Sequence, residues 1–570
     1  MGTSSFAERV AAARGDVPCD LVIRNARVVN VLSGEIMPAT VGVYDGVIVG
    51  FGEYSGREEI DAQGGFLVPG FIDAHIHVES TLLTLAEFAR AVLPRGTVGA
   101  VIDPHEIANV HGIAGIRYML ACARSVPLEI AVMLPSCVPA TPFESAGAVL
   151  TADDLVELIN EPGVAGVGEL MNFPGVVSGD PEMLRRAALA RGKIADGHAP
   201  LLSGLALNAY IVAGVGTDHE STSAEEAREK LRKGLHVHLR EGSAERNLAE
   251  LAQIVTPANA WNCSLASDDR HPDFLVAHGH LDHSVRVAIA SGIPPVTAVQ
   301  MASITTARRY CLAHCGAIAP GYYADFFLTD KLEECRPELC FRRGRLVARE
   351  GVCVADIAPS PPPPAGAMNL APLDKGMFRV PARGSTVRVI QVVPGQIVTR
   401  AVTAAAPVRE GVVVADPGRD LLKIAVIERH RASGRVGVGL VRGLGLRRGA
   451  IASTVAHDAH NIIVAGADDR DMLSAVEAVA AAGGGFAVVE RGQVTALLPL
   501  PIAGLMSDQP LAEVVRAQER LLAAARALGA GVENPFMTLS FLALTPIPEL
   551  KITDRGLFDV STFQLTSLFV

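Results

Sequence analysis

Between residues 66 and 315, short apolar runs alternate with stretches whose apolar positions recur at helical spacing. Brief apolar runs bounded by turn residues read as buried strands, and strands alternating with helices predict a parallel sheet. The first run ends at His75. The others cover residues 98–103, 128–134, 164–169, 194–198, about 213–218, 235–239 and about 263–268. Between the sixth and seventh, residues 223–233 read as a helix, with Ser223 at its N-cap and Glu226 completing a capping box. Eight strands in a segment of roughly 250 residues is the count and size of a (β/α)8 barrel.

The flanks carry a different pattern. Residues 21–30 and 39–49 are β-rich, with turn signals at Ser33-Gly34 and Asp45-Gly46. After the barrel, a turn feeds a strand within 316–328, and 345–351 resembles a sheet edge. Residues 1–65 and 316–358 are therefore assigned to one small β domain contributed by both flanks of a barrel at 66–315. A proline run at 359–366 opens an extended linker, 359–380, in which helix is incompatible with the sequence. Residues 381–570 read as a further α/β region, with strands at 387–393 and 422–427 and helices at 471–482 and 511–528. The expected fold class is α/β: a TIM-like (β/α)8 barrel, a small β-sandwich domain from both flanks, and a C-terminal α/β domain.

Composition narrows the function. Hydrophobic residues are 49% of the 570 and charged residues 19%, which suits extensive burial in several domains. The net charge of -11, with no dense basic run, argues against a nucleic-acid surface. Residues 1–16 lack the apolar core of a secretory signal, and no apolar run is long enough for a transmembrane helix. The nine cysteines include no C-x-x-C pair and read as buried thiols in a reducing compartment. The expectation is a cytoplasmic enzyme for a small molecule, a homo-oligomer of two or more copies, with neither nucleic acid nor membrane as partner.

Candidate chemistry gathers where the strands end, the face on which such barrels carry their active sites. His75 and His77 are two apart, so on an extended strand both imidazoles point to one face. Glu169 ends the fourth strand, His198 the fifth, His219 follows the sixth, and Asp268 ends the eighth. These six are nitrogen and oxygen ligands without a thiolate, enough for two divalent cations such as zinc, iron or manganese. Each alone reads equally well as a satisfied core residue; the full set at strand ends does not. His236 and His238 form a second H-x-H without partners and read as core, with substrate contact as the lesser reading. His457 and His460 read as a helical pair or as a loop at the barrel mouth, and are not assigned as ligands.

The longer words carry a resemblance. The H-x-H strand with its later carboxylates and histidines is similar to the amidohydrolase superfamily. GFIDAHIHVES (70–80), DPHEIANVHG (103–112), VGELMNFPGV (167–176), DGHAPLLSG (196–204), GTDHE (216–220) and SDDRHPDF (267–274) resemble the adenine deaminase family within it. HDAHNIIVAGADDRDM (457–472), LPLPIAGLMSD (498–508) and NPFMTLSFLALTPIPELKITDRGLFDV (534–560) resemble that family's C-terminal domain. The resemblance implies hydrolysis of adenine to hypoxanthine and ammonia by two divalent metals. His75 and His77 would hold one with Asp268, His198 and His219 the second, and Glu169 would bridge them. Asp268 is then the expected proton shuttle. Glu106 or Glu79 is the expected acid for the ring nitrogen, with His105 as rival; both glutamates read equally as carboxylates that orient the histidines. Glu79, Ser80, Asn172 and Ser203 are candidate substrate contacts. The competing readings are another amidohydrolase with the same ligands, or a non-catalytic scaffold on this fold.

Overall fold

The computed structural model describes residues 5–570. The first four residues of the polar opening segment, and with them the start of the expected 1–65 domain, lie outside the described residues.

Each of the eight apolar runs contains a strand. β1 (Phe71–Ile76), β2 (Thr97–Ile102), β3 (Glu129–Leu134), β4 (Val164–Leu170) and β5 (Ile194–Gly197) pair in parallel, each with the next. So do β6 (Thr217–Asp218), β7 (His236–Arg240) and β8 (Cys263–Ala266). The two groups meet where Gly216 N–H donates to Ala195 O at 3.0 Å. At the other edges, Asp268 N–H donates to His75 O at 2.9 Å and His77 N–H donates to Asp268 O at 3.2 Å. The result is a curled parallel sheet whose first and last strands touch. Every residue of β1, β2 and β7 is buried, as expected for strands covered on both faces.

The helix after β6 spans Ala224–Arg232 and Ser223 Oγ accepts from Glu226 N–H at 3.3 Å. The reciprocal half of the expected capping box does not form. Glu226 instead accepts from Leu201 N–H (2.8 Å), Thr222 N–H (3.2 Å) and Lys230 Nζ (2.7 Å), because the lysine one turn on is the stronger partner. Cys311 and Cys315 lie beyond the helix Ile304–Arg309. All nine cysteines are free; Cys311 is exposed and Cys353 half-buried, the rest buried. Among the described residues no helix is long and apolar enough to cross a membrane.

Strands from both flanks join in one hydrogen-bonded set of nine. The cause is the long strand Cys19–Asn30, whose register shifts between Ile23 and Ala26. A bulge bends a strand; here one end pairs with Gly56–Asp61 and the other with Phe66–Pro69. Phe66–Pro69 in turn pairs antiparallel with Phe326–Thr329 from beyond β8. The proline-rich stretch has no regular structure, but its second half docks: Met368, Leu370, Leu373 and Met377 pack around Phe378 against the C-terminal core. That region is an eight-stranded sheet flanked by the helices Asp469–Ala481 and Leu511–Ala527.

Candidate metal centre and active site

His77 Nδ1 lies 2.9 Å from the carbonyl oxygen of Asp103. A carbonyl only accepts, so the ring proton sits on Nδ1 and the Nε2 lone pair faces inward. There His77 Nε2 lies 3.2 Å from His75 Nε2, Glu169 Oε1 and Asp268 Oδ1 alike. His75 Nε2 is 3.6 Å from Asp268 Oδ1. On the other side of Glu169, Oε2 is 2.6 Å from His198 Nδ1 and 3.3 Å from His219 Nε2. The six side chains expected as ligands thus converge on one point, all buried. They fall into three overlapping groups of three, each close enough to share one ion: His75, His77 and Glu169; His75, His219 and Asp268; Glu169, His198 and His219.

Local structure holds these groups in place. Gly168 precedes Glu169 because a Cβ there would meet Asp103 Oδ2 at 2.0 Å; without one, that carboxylate accepts Glu169 N–H at 2.9 Å. Asp268 sits at φ +55°, a left-handed turn that an aspartate tolerates better than most side chains. Between His198 and His219, Asp218 Oδ1 accepts Ala199 N–H at 3.0 Å, and the fully buried Lys230 bonds both Asp218 Oδ2 and Ala199 O at 2.8 Å. Burial alone pushes the Asp268 carboxyl up, but Arg240, His77 and His219 together hold it well below the usual carboxylate range.

A cavity opens over this cluster, lined by His77, His105, Glu106, Glu169, His198, His219 and Asp268 on the barrel side. His105 Nδ1 is 3.4 Å from Glu169 Oε1. Glu106 is buried, with neither oxygen in a hydrogen bond. Burial, then Glu79 and Asp269, push its carboxyl well above the ordinary range. Glu79 does not line the cavity; its Oε1 accepts Ile107 N–H at 3.2 Å and so fixes the helix that carries His105 and Glu106. Ser80 also stands behind the wall, donating to His77 O at 2.7 Å. Asn172 and Ser203, expected as substrate contacts, are exposed and outside the cavity. Asn172 Oδ1 caps the helix Phe173–Ser178 through Gly175 N–H, and Ser203 occupies the N-cap position of Gly204–Val212. Asn172 thus serves the first turn of its helix, whereas the Ser203 side chain makes no capping hydrogen bond. His236 and His238 bond Ser264 Oγ (2.8 Å) and Tyr310 OH (3.2 Å) inside the sheet.

Several cavity residues were assigned no role from the sequence. Arg240 follows the second H-x-H; its Nη1 bonds Asp268 Oδ2 at 2.6 Å and also pairs with Glu220. Its place as an inward residue on β7 was the available cue. Ile397, His457, Asp458, Phe541, Leu544 and Ile547 come from the C-terminal region. Outside the His457 loop, nothing local to those residues announces that they meet a barrel hundreds of positions away. The His457 loop lies at the barrel mouth, one of the two readings open to it.

The donor set fits divalent metal ions. Lone pairs of buried imidazoles face one another and two carboxylates, and His75 Nδ1, His198 Nε2 and His219 Nδ1 have no hydrogen-bond partner to hold the rings in another sense. Residues 66–348 match the amidohydrolase family. Curled parallel sheet, clustered histidines and that match define the class: an amidohydrolase. Residues 396–564 match the adenine deaminase C-terminal domain. The chain is 49% identical to adenine deaminase 2 of Carboxydothermus hydrogenoformans over 98% of both chains. It is 48% identical to the adenine deaminases of Oleidesulfovibrio alaskensis and Nitratidesulfovibrio vulgaris, again over 98% of each. The chain belongs to the adenine deaminase family.

Proposed function

We propose that this protein hydrolyses adenine to hypoxanthine and ammonia, using two divalent metal ions, manganese, iron or zinc. His75, His77 and Asp268 would hold one, His198 and His219 the other, with Glu169 between them. The observation that carries this reading is the position of Glu169, whose Oε1 faces His77 and whose Oε2 faces His198 and His219. We read the curled sheet as a (β/α)8 barrel at 66–315, the nine-stranded sheet as one flanking domain from 1–65 and 316–358, and 381–570 as the third domain after the 359–380 linker. A cytoplasmic homo-oligomer remains the expected setting.

When bound, such ions lower the pKa of a water and stabilise negative charge developing nearby. The protein's own groups do the rest. Asp268 is ionised, with Oδ2 fixed by Arg240 and Oδ1 facing the cluster. Oδ1 accepts the proton of the attacking water and later delivers it to the departing ammonia. Attack at the amino-bearing carbon breaks ring aromaticity, so the adjacent ring nitrogen must gain a proton in the same step. Burial and the neighbouring carboxylates Glu79 and Asp269 favour the protonated form of Glu106, which faces the cavity and so suits that role. His105 lies closer to Glu169 and serves better as the group orienting that carboxylate.

The test combines metal analysis with ammonia release from adenine. The expected result is about two ions per chain and turnover of adenine, with turnover abolished and bound metal lowered in His77→Ala. A fully metal-loaded protein that leaves adenine untouched overturns the reading.

A further inference from the structure

The loop of residues 454–461, between the C-terminal strands Ala450–Ser453 and Ile462–Gly466, is buried throughout. Its backbone and its outer side chains are tied down. His430 Nε2 lies 2.7 Å from Ala459 O, Arg429 Nε donates to His460 O, and His460 Nδ1 accepts Ala456 N–H at 3.2 Å. Asn461 Nδ2 reaches across to the barrel and donates to Ser145 O at 2.8 Å. Two side chains of the loop are left facing the barrel cavity, His457 and Asp458.

Both stop short of a full set of partners. His457 Nδ1 is 3.3 Å from Glu106 Oε1, and Asp458 Oδ1 is 3.7 Å from His105 Nε2. His457 Nε2, Asp458 Oδ2 and both oxygens of Glu106 have no hydrogen bond within the protein. A buried polar atom without a partner is destabilising, and native structures rarely keep several together. The adjacent wall is apolar: Ile397, Phe541, Leu544 and Ile547, with the Phe541 ring stacked on His457 at 5.1 Å. A narrow apolar wall with a polar rim suits a flat heteroaromatic ring whose edge both donates and accepts.

A metal site at Glu106, His457 and His460 fits less well, although their ligand atoms cluster. His460 Nδ1 accepts a backbone N–H, so in the neutral ring the proton sits on Nε2, leaving no lone pair there.

We propose that His457 and Asp458 bind the substrate, gripping the edge of the base that faces away from the metal cluster. This rests on the reading of the site as an adenine deaminase. The C-terminal region is then half of the active site, and the barrel alone is incomplete. A polar docking contact between the two halves would leave the same distances but would not sense the chemistry of the base.

The experiment pairs protein and substrate changes in the metal-loaded full-length protein. Adenine, 3-deazaadenine and 7-deazaadenine are compared in the unaltered protein, His457→Asn and Asp458→Asn, with metal content and melting temperature measured for each. Loss of one hydrogen bond to the base is worth about 10- to 100-fold in kcat/KM. The expected result is such a loss on adenine in both variants, with metal content unchanged. At least one deaza analogue should lose about 10-fold in the unaltered protein yet lose nothing further in one of the two variants. Full activity of both variants on adenine overturns the proposal, and so do losses that are independent across every analogue. Failure of the unaltered protein to release ammonia from adenine would refute the proposed function itself, a separate result.

Discussion

Lys230 offers the sharpest test of how the fold supports the histidine cluster proposed to hold the metal ions. Its side chain is fully buried, and Nζ donates to Asp218 Oδ2 (2.8 Å), Glu226 Oε1 (2.7 Å) and Ala199 O (2.8 Å). Ala199 adjoins His198, and Asp218 adjoins His219. Lys230→Met preserves much of the apolar stem but strands two carboxylates. Removing one member of a buried ion pair costs about 3–5 kcal/mol. Asp218 retains Ser221 Oγ at 2.8 Å and Ala199 N–H, which places the expected cost near the lower end, about 3 kcal/mol. Trp261, the single tryptophan of the chain, lies just before β8, so its fluorescence in a urea titration follows this part of the chain. Asp218→Asn alone should also destabilise, and the double variant should cost about 1–3 kcal/mol less than the sum of the two. Because His198 and His219 lose their shared support, about one of two metal ions should be lost as well. A cost below about 1 kcal/mol in Lys230→Met, or strict additivity in the cycle, would refute the reasoning.

Asp268→Asn should lower turnover of adenine by at least about 100-fold with most of the bound metal retained, since general acid–base transfer contributes about that much; near-normal turnover would remove the proton-shuttle role. Lys551 is buried without a carboxylate partner, donates to Ile397 O (2.8 Å) and Phe541 O (3.0 Å), and burial pulls its amine down to about 7. The unfolded chain then holds a proton that the folded chain releases between about pH 7 and the ordinary lysine value, so stability rises with pH across that window. Relative to Lys551→Met, the unaltered protein should gain up to about 1.4 kcal/mol per pH unit there, read from urea midpoints; a flat difference sinks the assignment of a neutral lysine.

Much of the fold was legible because each strand of the curled sheet is a short apolar run between helices. β6 shrinks to two residues, since the run leading into it carries Gly214 at φ +108° and Gly216 against Arg309. The clustering of His75 and His77 was legible for a related reason: on a strand end, two residues apart means one face. Asn172 misled because a polar residue before a helix looks the same whether it caps the helix or meets a ligand, and Ser203 misled because its exposed place before a helix lies outside the cavity. The partners of Arg240, His457 and Asp458 across the cavity were hidden because they depend on which distant surfaces come together. Period and spacing are local; the pairing of His457 with Glu106 is not.

The nine-stranded sheet also bears on how the chain is made. Phe66–Pro69 acquires its outer neighbour only when Phe326–Thr329 arrives. Until the ribosome has delivered that later segment, the strand presents an open edge of unpaired backbone groups. The nascent chain must carry that adhesive edge through synthesis of the entire catalytic sheet, which makes translation pauses within that interval the moments of greatest exposure to misassembly.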